Sequence, residues 1–169
     1  MKLLIFSDSH GRIDAAKSII AHLEGKVDGV MHLGDHDTDA ERLQKMFPSM
    51  PFYIVRGNND FGGTAPAHRM VTLGGKRLLM THGHKHRVHW NLQTIAYWAQ
   101  EQLADAVFFG HTHYPTKEES GGVLICNPGS ISLPRDSRIP TFAILTIERG
   151  RMEVAIMEYD EKTGIKRRC

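Results

Sequence analysis

Along the first third of the chain, short apolar runs alternate with stretches in which apolar residues recur at helical spacing. Residues 2–6 (KLLIF) form the continuous run that a strand buried on both faces requires. Ala15, Ala16, Ile19, Ile20 and Leu23 then repeat at helical intervals, Gly25 stops the helix, and 27–33 reads as a second strand. Thr38 followed at the third position by Glu41 has the spacing of a capping box, which opens a helix through Met46, and 52–55 is a third strand. After Gly62 and Gly63 the pattern changes. Apolar runs at 71–73 and 77–81 flank Gly74 and Gly75 as the arms of a hairpin do. Leu92, Ile95, Ala96, Ala99 and Leu103 make one more helix, 106–109 one more strand, and two further hairpins are expected about Gly121–Gly122 and Arg149–Gly150. With no repeat, linker or low-complexity tract, 1–169 reads as a single α/β domain with an antiparallel-leaning second half. The polar tail 161–169 is expected to fray.

Composition narrows the function classes more than the fold. Hydrophobic residues at 41% and charged residues at 24% exclude disorder. Lys and Arg exceed Asp and Glu by only 21 to 19, so no single-sign field draws in nucleic acid or a membrane surface. Two cysteines, Cys126 and Cys169, provide neither a disulfide framework nor a paired thiol site, and no apolar stretch has the length of a signal core or a membrane span. A reducing cytoplasm fits. Eleven histidines are the anomaly, because imidazole is both a common metal ligand and a proton carrier near neutral pH.

The positions of those histidines are telling. Asp8 and His10 follow the first strand, Asp35 the second, Asn58, Asn59 and Asp60 the third, His82 and His84 the 77–81 strand, and His111 and His113 the 106–109 strand. Carboxyl ends of strands are where open α/β sheets gather ligands, so five such ends can form one metal cup. Asp, neutral His and one Asn amide oxygen make a mixed N/O set suited to Mn, Fe, Ni or Zn. Asp8, His10, Asp35, Asn58, His82, His111 and His113 are too many donors for one ion, and two ions sharing a carboxylate fit the count.

Each motif alone is short enough to arise by chance. The ordered set Asp-x-His, Gly-Asp, Gly-Asn-x-Asp, His-Gly-His and Gly-His-x-His, each directly after an expected strand, closely resembles the calcineurin-like metallophosphoesterase superfamily. The small size, the 81–84 block (THGH) and the 127–130 segment (NPGS) resemble its small stand-alone bacterial and archaeal phosphodiesterase branch, the YfcE type, over residues 1–132. The resemblance implies two facing mixed β-sheets flanked by helices, with a dimetal cup at one edge. It implies that Asp8, His10 and His113 hold a first divalent ion, that Asn58, His82 and His111 hold a second, and that Asp35 bridges both. Mn is the favoured metal, with Fe, Ni or Zn as alternatives. Asp60 is then expected to orient the Asn58 loop, and a hydroxide between the metals to attack a small phosphoester or nucleotide-like substrate, a diester before a monoester.

One departure from the family pattern stands at Asn59, where many members carry a histidine at the leaving group. His84 is the nearest replacement, and His36, directly after Asp35, is another. His32 reads as a core histidine, and His22, His68, His86 and His89 as surface or helix-flanking residues. Trp90, Tyr97 and Trp98, read as lying on the third helix, could wall a substrate cleft, but aromatics at helical spacing are expected to pack a core or a subunit contact; Arg135 and Arg138 either meet a phosphate or are solvated. The alternative is a non-catalytic metal-binding scaffold or interaction module of the same fold. A DNA nuclease of the superfamily would need capping segments and a basic groove, and neither is present in this sequence. No stable nucleic-acid or membrane partner is expected, and a homo-oligomer is possible.

Overall fold

Apolar residues alternate sides along a strand, so a continuous run places its odd and even members in two different cores. The computed structural model, which describes residues 1–168, shows this for β1 (Lys2–Phe6). Leu3 and Ile5 face the space between two sheets, where Met31, Leu33, Leu78, Met80, Phe108 and Cys126 meet them, whereas Leu4 and Phe6 pack outward against Ile19, Ile20 and Leu43. The outward side is covered by α1 (Asp14–Leu23) and α2 (Asp37–Met46). Each such side chain contributes on the order of 1.5–3 kcal/mol by leaving water.

The first sheet places β1 beside β2 (Gly29–His32) and β2 beside β3 (Phe52–Ile54), both parallel. On its other edge β1 pairs antiparallel with β9 (Thr141–Glu148), with Leu3 opposite Leu145, and β10 (Arg151–Asp160) follows. The second sheet has the order β4 (His68–Leu73), β5 (Lys76–Thr81), β6 (Ala106–Phe108), β8 (Val123–Pro128), β7 (Pro115–Ser120). Its outer face is covered by α3 (Gln93–Glu101), which buries Ile95, Ala96 and Ala99 against Leu79, Val107, Phe109 and Ile125. The two facing mixed sheets with helices outside are the expected architecture. Among the described residues, no helix is long and apolar enough to cross a membrane.

Three local expectations are corrected. Thr38 and Glu41 do not start α2: the helix begins at Asp37, and no side-chain bond comes from the preceding His36, whose backbone is left-handed (φ 75°). The free N–H groups there are taken instead by Asp60, from the loop after β3, which accepts from His36 (2.6 Å) and Asp37 (2.9 Å). Leu103 is not on the buried face of α3. It sits past the helix end, 75% exposed with φ 52°, while Leu103 N–H donates to Gln100 and Ala104 N–H to Ala99, the bonds of a Schellman stop usually built on glycine.

The tail, finally, does not fray at 164–167. Gly164–Arg167 is strand β11, antiparallel to β10 at the sheet edge. Asp160 Oδ1 accepts the N–H groups of Lys162 (2.9 Å) and Thr163 (2.8 Å), Gly164 takes φ 77°, and Ile165 packs on the outer core. An Asx turn written into the polar stretch makes the hairpin. Cys169 lies outside the described residues.

Candidate metal centre

β1, β2, β3, β5 and β6 all end at the same rim, and the chain reverses there at once. The turns put unusual strain on residues other than glycine: Asp8 (φ 57°), His10 (46°), Asp35 (56°), His36 (75°), His111 (70°) and His113 (62°) are all left-handed. Asp and His tolerate this region better than most side chains, yet it still costs on the order of 1–3 kcal/mol per residue. In return, each turn aims a short donor side chain inward.

Asp8 is buried. Its Oδ2 accepts from Ser7 Oγ and from the His111 N–H (3.0 Å), which leaves Oδ1 buried with no aligned hydrogen bond. His113 Nε2 lies 3.2 Å from that oxygen, His82 Nε2 3.9 Å and His10 Nε2 3.9 Å. His82 donates from Nδ1 to the Leu33 carbonyl (2.8 Å) and His113 from Nδ1 to the Leu133 carbonyl (2.7 Å). Those bonds fix both rings with Nε2 toward the cup, the arrangement that metal-ligating histidines need. His82 Nε2 is likewise buried without an aligned hydrogen bond. Asp35 reaches both sides, with Oδ1 3.3 Å from His82 Nε2 and Oδ2 3.8 Å from His10 Nε2.

Two triads close enough to hold a cation result: Asp8, His10 and His113, and Asp8, Asp35 and His82. The first is the expected set. In the second, His82 is joined by both aspartates, so Asp8 as well as Asp35 lies between the two groups. His111 stands beside this triad, its ring centroid 5.1 Å from that of His82, and Asn58 is exposed in the loop after β3. Orphaned anionic oxygen and orphaned imidazole nitrogen in one dry place suit a divalent ion well.

Electrostatics without an ion show the same tension. Burial alone would raise the Asp8 carboxyl, but the contact with His113 and the charges of His82 and His113 prevail and hold it below its usual range. Asp35 is lowered too, with His82 and the Asn59 bonds outweighing burial. Burial works against charge on His82 and His113, yet Asp35 and Asp8 raise the first, and Asp8 the second. His111 is pushed down to about 4 by burial and then by His82 and His89.

Asn59, at the position where many members of the family carry a histidine, is bonded to Asp35: its Nδ2 donates to Oδ2 (2.6 Å) and its N–H to Oδ1 (3.0 Å). Asp60 holds the loops, accepting from Gly57 (2.6 Å) and Asp35 (3.0 Å) besides the α2 N–H groups. His84 lies at the mouth, half-buried, 5.5 Å from the His82 ring, and burial lowers its pKa ahead of the His82 charge. His36 is 5.3 Å from the His10 ring. The Arg135 N–H meets the His113 carbonyl at 3.4 Å, and the side chains of Arg135 and Arg138 are exposed. His89, expected on the surface, is exposed but has its ring 4.5 Å from that of His111. Trp90 and Tyr97 are 86% and 63% exposed and so lie outside the core of the chain, whereas Trp98 packs on His86.

Support for the cup comes from the 127–130 segment and from residues that the ligand motifs do not mark. Ser130 Oγ (2.8 Å) and Ser132 Oγ (3.0 Å) both donate to the Asp8 carbonyl, and buried Asn127 donates to Gly110 O (2.8 Å) and Thr112 Oγ1 (3.0 Å). Beneath, Gly34 N–H donates to His32 Nδ1, and Ser9 Oγ sits 3.1 Å from His32 Nε2 while donating to Asp39 (2.8 Å). His32 is the satisfied core histidine expected, with burial pulling its pKa down to about 4. A hydroxyl placed just before or after a ligand motif is the one signal that could have found Ser7 and Ser9.

The comparisons with known proteins agree with this geometry. The pattern of the calcineurin-like phosphoesterase superfamily domain matches residues 1–150. The probable metallophosphoesterase YsnB of Bacillus subtilis (strain 168) is 38% identical over 162 residues, covering 95% of this chain and 92% of that protein. Phosphodiesterase YfcE of Escherichia coli (strain K12) is 29% identical over 170 residues, with 86% of this chain and 87% of that protein covered. In fold, the zinc complex of Vps29 from Entamoeba histolytica superposes with a TM-score of 0.82 at 20% identity, over 99% of this chain and 97% of that one. On the match over residues 1–150 and the 38% identity to YsnB, the chain belongs to the calcineurin-like phosphoesterase superfamily.

Proposed function

We propose that the protein is a phosphodiesterase working with two divalent transition-metal ions, Mn before Fe, Ni or Zn, on small phosphoester or nucleotide-like substrates of the cytoplasm. The observation that carries this reading is the meeting of Asp8 Oδ1 and His82 Nε2, both buried without an aligned hydrogen bond, at 3.9 Å. Asp8, His10 and His113 would hold one ion and Asn58, His82 and His111 the other, with Asp35 reaching both. Such ions activate water as a nucleophile and offset the charge that builds on the phosphoryl oxygens.

The chain's own residues do the rest. Ser7 and the His111 N–H turn Asp8 so that one oxygen is free, Asn59 sets the plane of Asp35, and Asp60 keeps the loops after β2 and β3 together. With Asn59 committed to Asp35, His84 at the mouth is the side chain placed to hand a proton to a departing alkoxide. A diester asks least of that donor when its leaving group is acidic.

The test is elemental analysis with activity. Two ions per chain, loss of phosphodiester turnover on chelation, and restoration by Mn are expected. Asp35→Ala is expected to release both ions, and His22→Ala, on the exposed face of α1, to release neither. Full turnover in a metal-free sample overturns the reading. The second reading, a metal-binding scaffold, is favoured by the Vps29 likeness, and metal retention with no turnover on any phosphoester would support it.

A further inference from the structure

We propose that a cleft beside the metal cup receives a flat aromatic ring carried by the substrate, a nucleobase or an aryl group, with Trp90 as its stacking wall. The inference rests on the phosphoesterase reading above and adds the substrate class. The cleft has a volume of about 330 Å³ and lies between the turn that carries Trp90 and edge strand β7. That is the low end of the roughly 300–1,000 Å³ range of small-molecule sites, room for one ring system rather than a stretch of polymer.

Its floor is apolar, formed by Val88 and Phe109, both buried. Its walls are Trp90, 86% exposed, and Tyr114, 47% exposed. Indole and phenol faces left in water above an apolar floor are unspent stacking surface. The link to the cup runs through two lining residues: His89 has its ring edge-on to His111 with centroids 4.5 Å apart, and Thr112 stands in the chain between His111 and His113. The outer end carries Glu118, whose carboxylate repels a second anionic group. A mononucleoside or aryl ester suits this order of surfaces, with phosphate at the metals and ring in the cleft.

The backbone that carries both walls is held in place. Trp90 N–H donates to the Arg87 carbonyl (2.9 Å), and Arg87 has a left-handed backbone (φ 53°). Tyr114 N–H donates to Thr112 Oγ1 (3.2 Å), the same hydroxyl that buried Asn127 bonds. One set of hydrogen bonds therefore sets both the ligand loop and the cleft wall. A larger hollow of about 760 Å³ lies at the β9–β10 hairpin, the far end of the sheet from the cup, and its lining of Glu148, Arg149, Arg151 and Glu153 mixes both signs of charge.

The test uses the metal-loaded protein hydrolysing bis(4-nitrophenyl) phosphate, with phenylphosphonate and inorganic phosphate as competing inhibitors. Trp90→Ala is expected to weaken phenylphosphonate inhibition by about 10-fold while leaving inhibition by phosphate unchanged, and Trp90→Phe to keep most of the difference. In Trp98→Phe, where Trp90 is the remaining indole of the two, phenylphosphonate is expected to quench the fluorescence and phosphate is not. Equal inhibition constants in wild type and Trp90→Ala, with turnover intact, overturn this inference alone. So does a change in molecular mass of Trp90→Ala without a change in those constants, which assigns Trp90 to a contact between copies. Absence of turnover in the wild-type protein overturns the phosphoesterase reading and this inference with it.

Discussion

The two ends of the sheets turn the chain by different means. At the hairpin end, left-handed backbone falls mainly on glycine: Gly74, Gly75, Gly121, Gly122 and Gly150 all have positive φ. At the cup end the same conformation falls on Asp8, His10, Asp35, His36, His111 and His113. A turn made only to reverse direction uses the residue that makes it without strain. A turn that must also present a carboxylate or an imidazole gives up that ease, and neighbouring hydrogen bonds, donated by Ser7, Asn59 and Ser130 and accepted by Asp60, have to hold it.

The difference can be broken most forcefully at Asp60. Four backbone N–H groups converge on this carboxylate, so Asp60→Ala should lower stability by about 3–5 kcal/mol in denaturant unfolding and weaken metal binding as well. A loss under 1 kcal/mol would mean that the cup loops hold their shape without it.

Acid should be the next most effective. His32 is buried and neutral, with a pKa of about 4 in the folded protein against 6.5 unfolded. The unfolded chain therefore takes up a proton first as pH falls through 6.5, and this group's share of stability is complete above that value, declines down to about pH 4 and is gone below it. The share amounts to about 3 kcal/mol. Unfolding curves of wild type and His32→Asn between pH 7 and 4 should converge by that amount, and parallel curves would show that His32 is protonated in place.

Asn59→Ala should act on metal affinity alone, weakening it about 10–100-fold by calorimetry, as the loss of a partner to a ligating carboxylate does. Unchanged affinity would return position 59 to the leaving group. The smallest effect is expected at Leu103, where strain serves no donor: Leu103→Gly should raise stability by up to about 1 kcal/mol. A loss there would make the exposed leucine a contact with something else.

What could be read from the sequence divides along the same line. Strands and ligand motifs were legible because each is written in a few adjacent residues: an apolar run, then Asp-x-His or His-x-His. The holding bonds were not, because they join distant segments. Asp60 caps a helix that begins at Asp37, and Thr38 with Glu41 offered a nearer and false cap. The β10–β11 hairpin was hidden because its turn, from Asp160 to Gly164, lies inside a stretch so polar that only the spacing of Asp160 and Gly164 marks it. Trp90 falls before α3 rather than on it, because helical spacing cannot tell a residue just before a helix from one on its buried face.

The pairing of β1 with β9 also sets an order in time. Lys2 lies opposite Thr146, and the Asp8 carbonyl is held by Ser130 and Ser132. A nascent chain that has emerged only as far as His113 already carries all seven of the donors assigned to the metals, yet lacks the strand that flanks the first of them and the hydroxyls that brace it. Such long-range pairing folds slowly, on the order of milliseconds to seconds. Under the two-metal reading, capture by the finished cup would belong to the last stage of the protein's synthesis, and a chain truncated before residue 130 should leave the ribosome with every assigned donor and no assembled site.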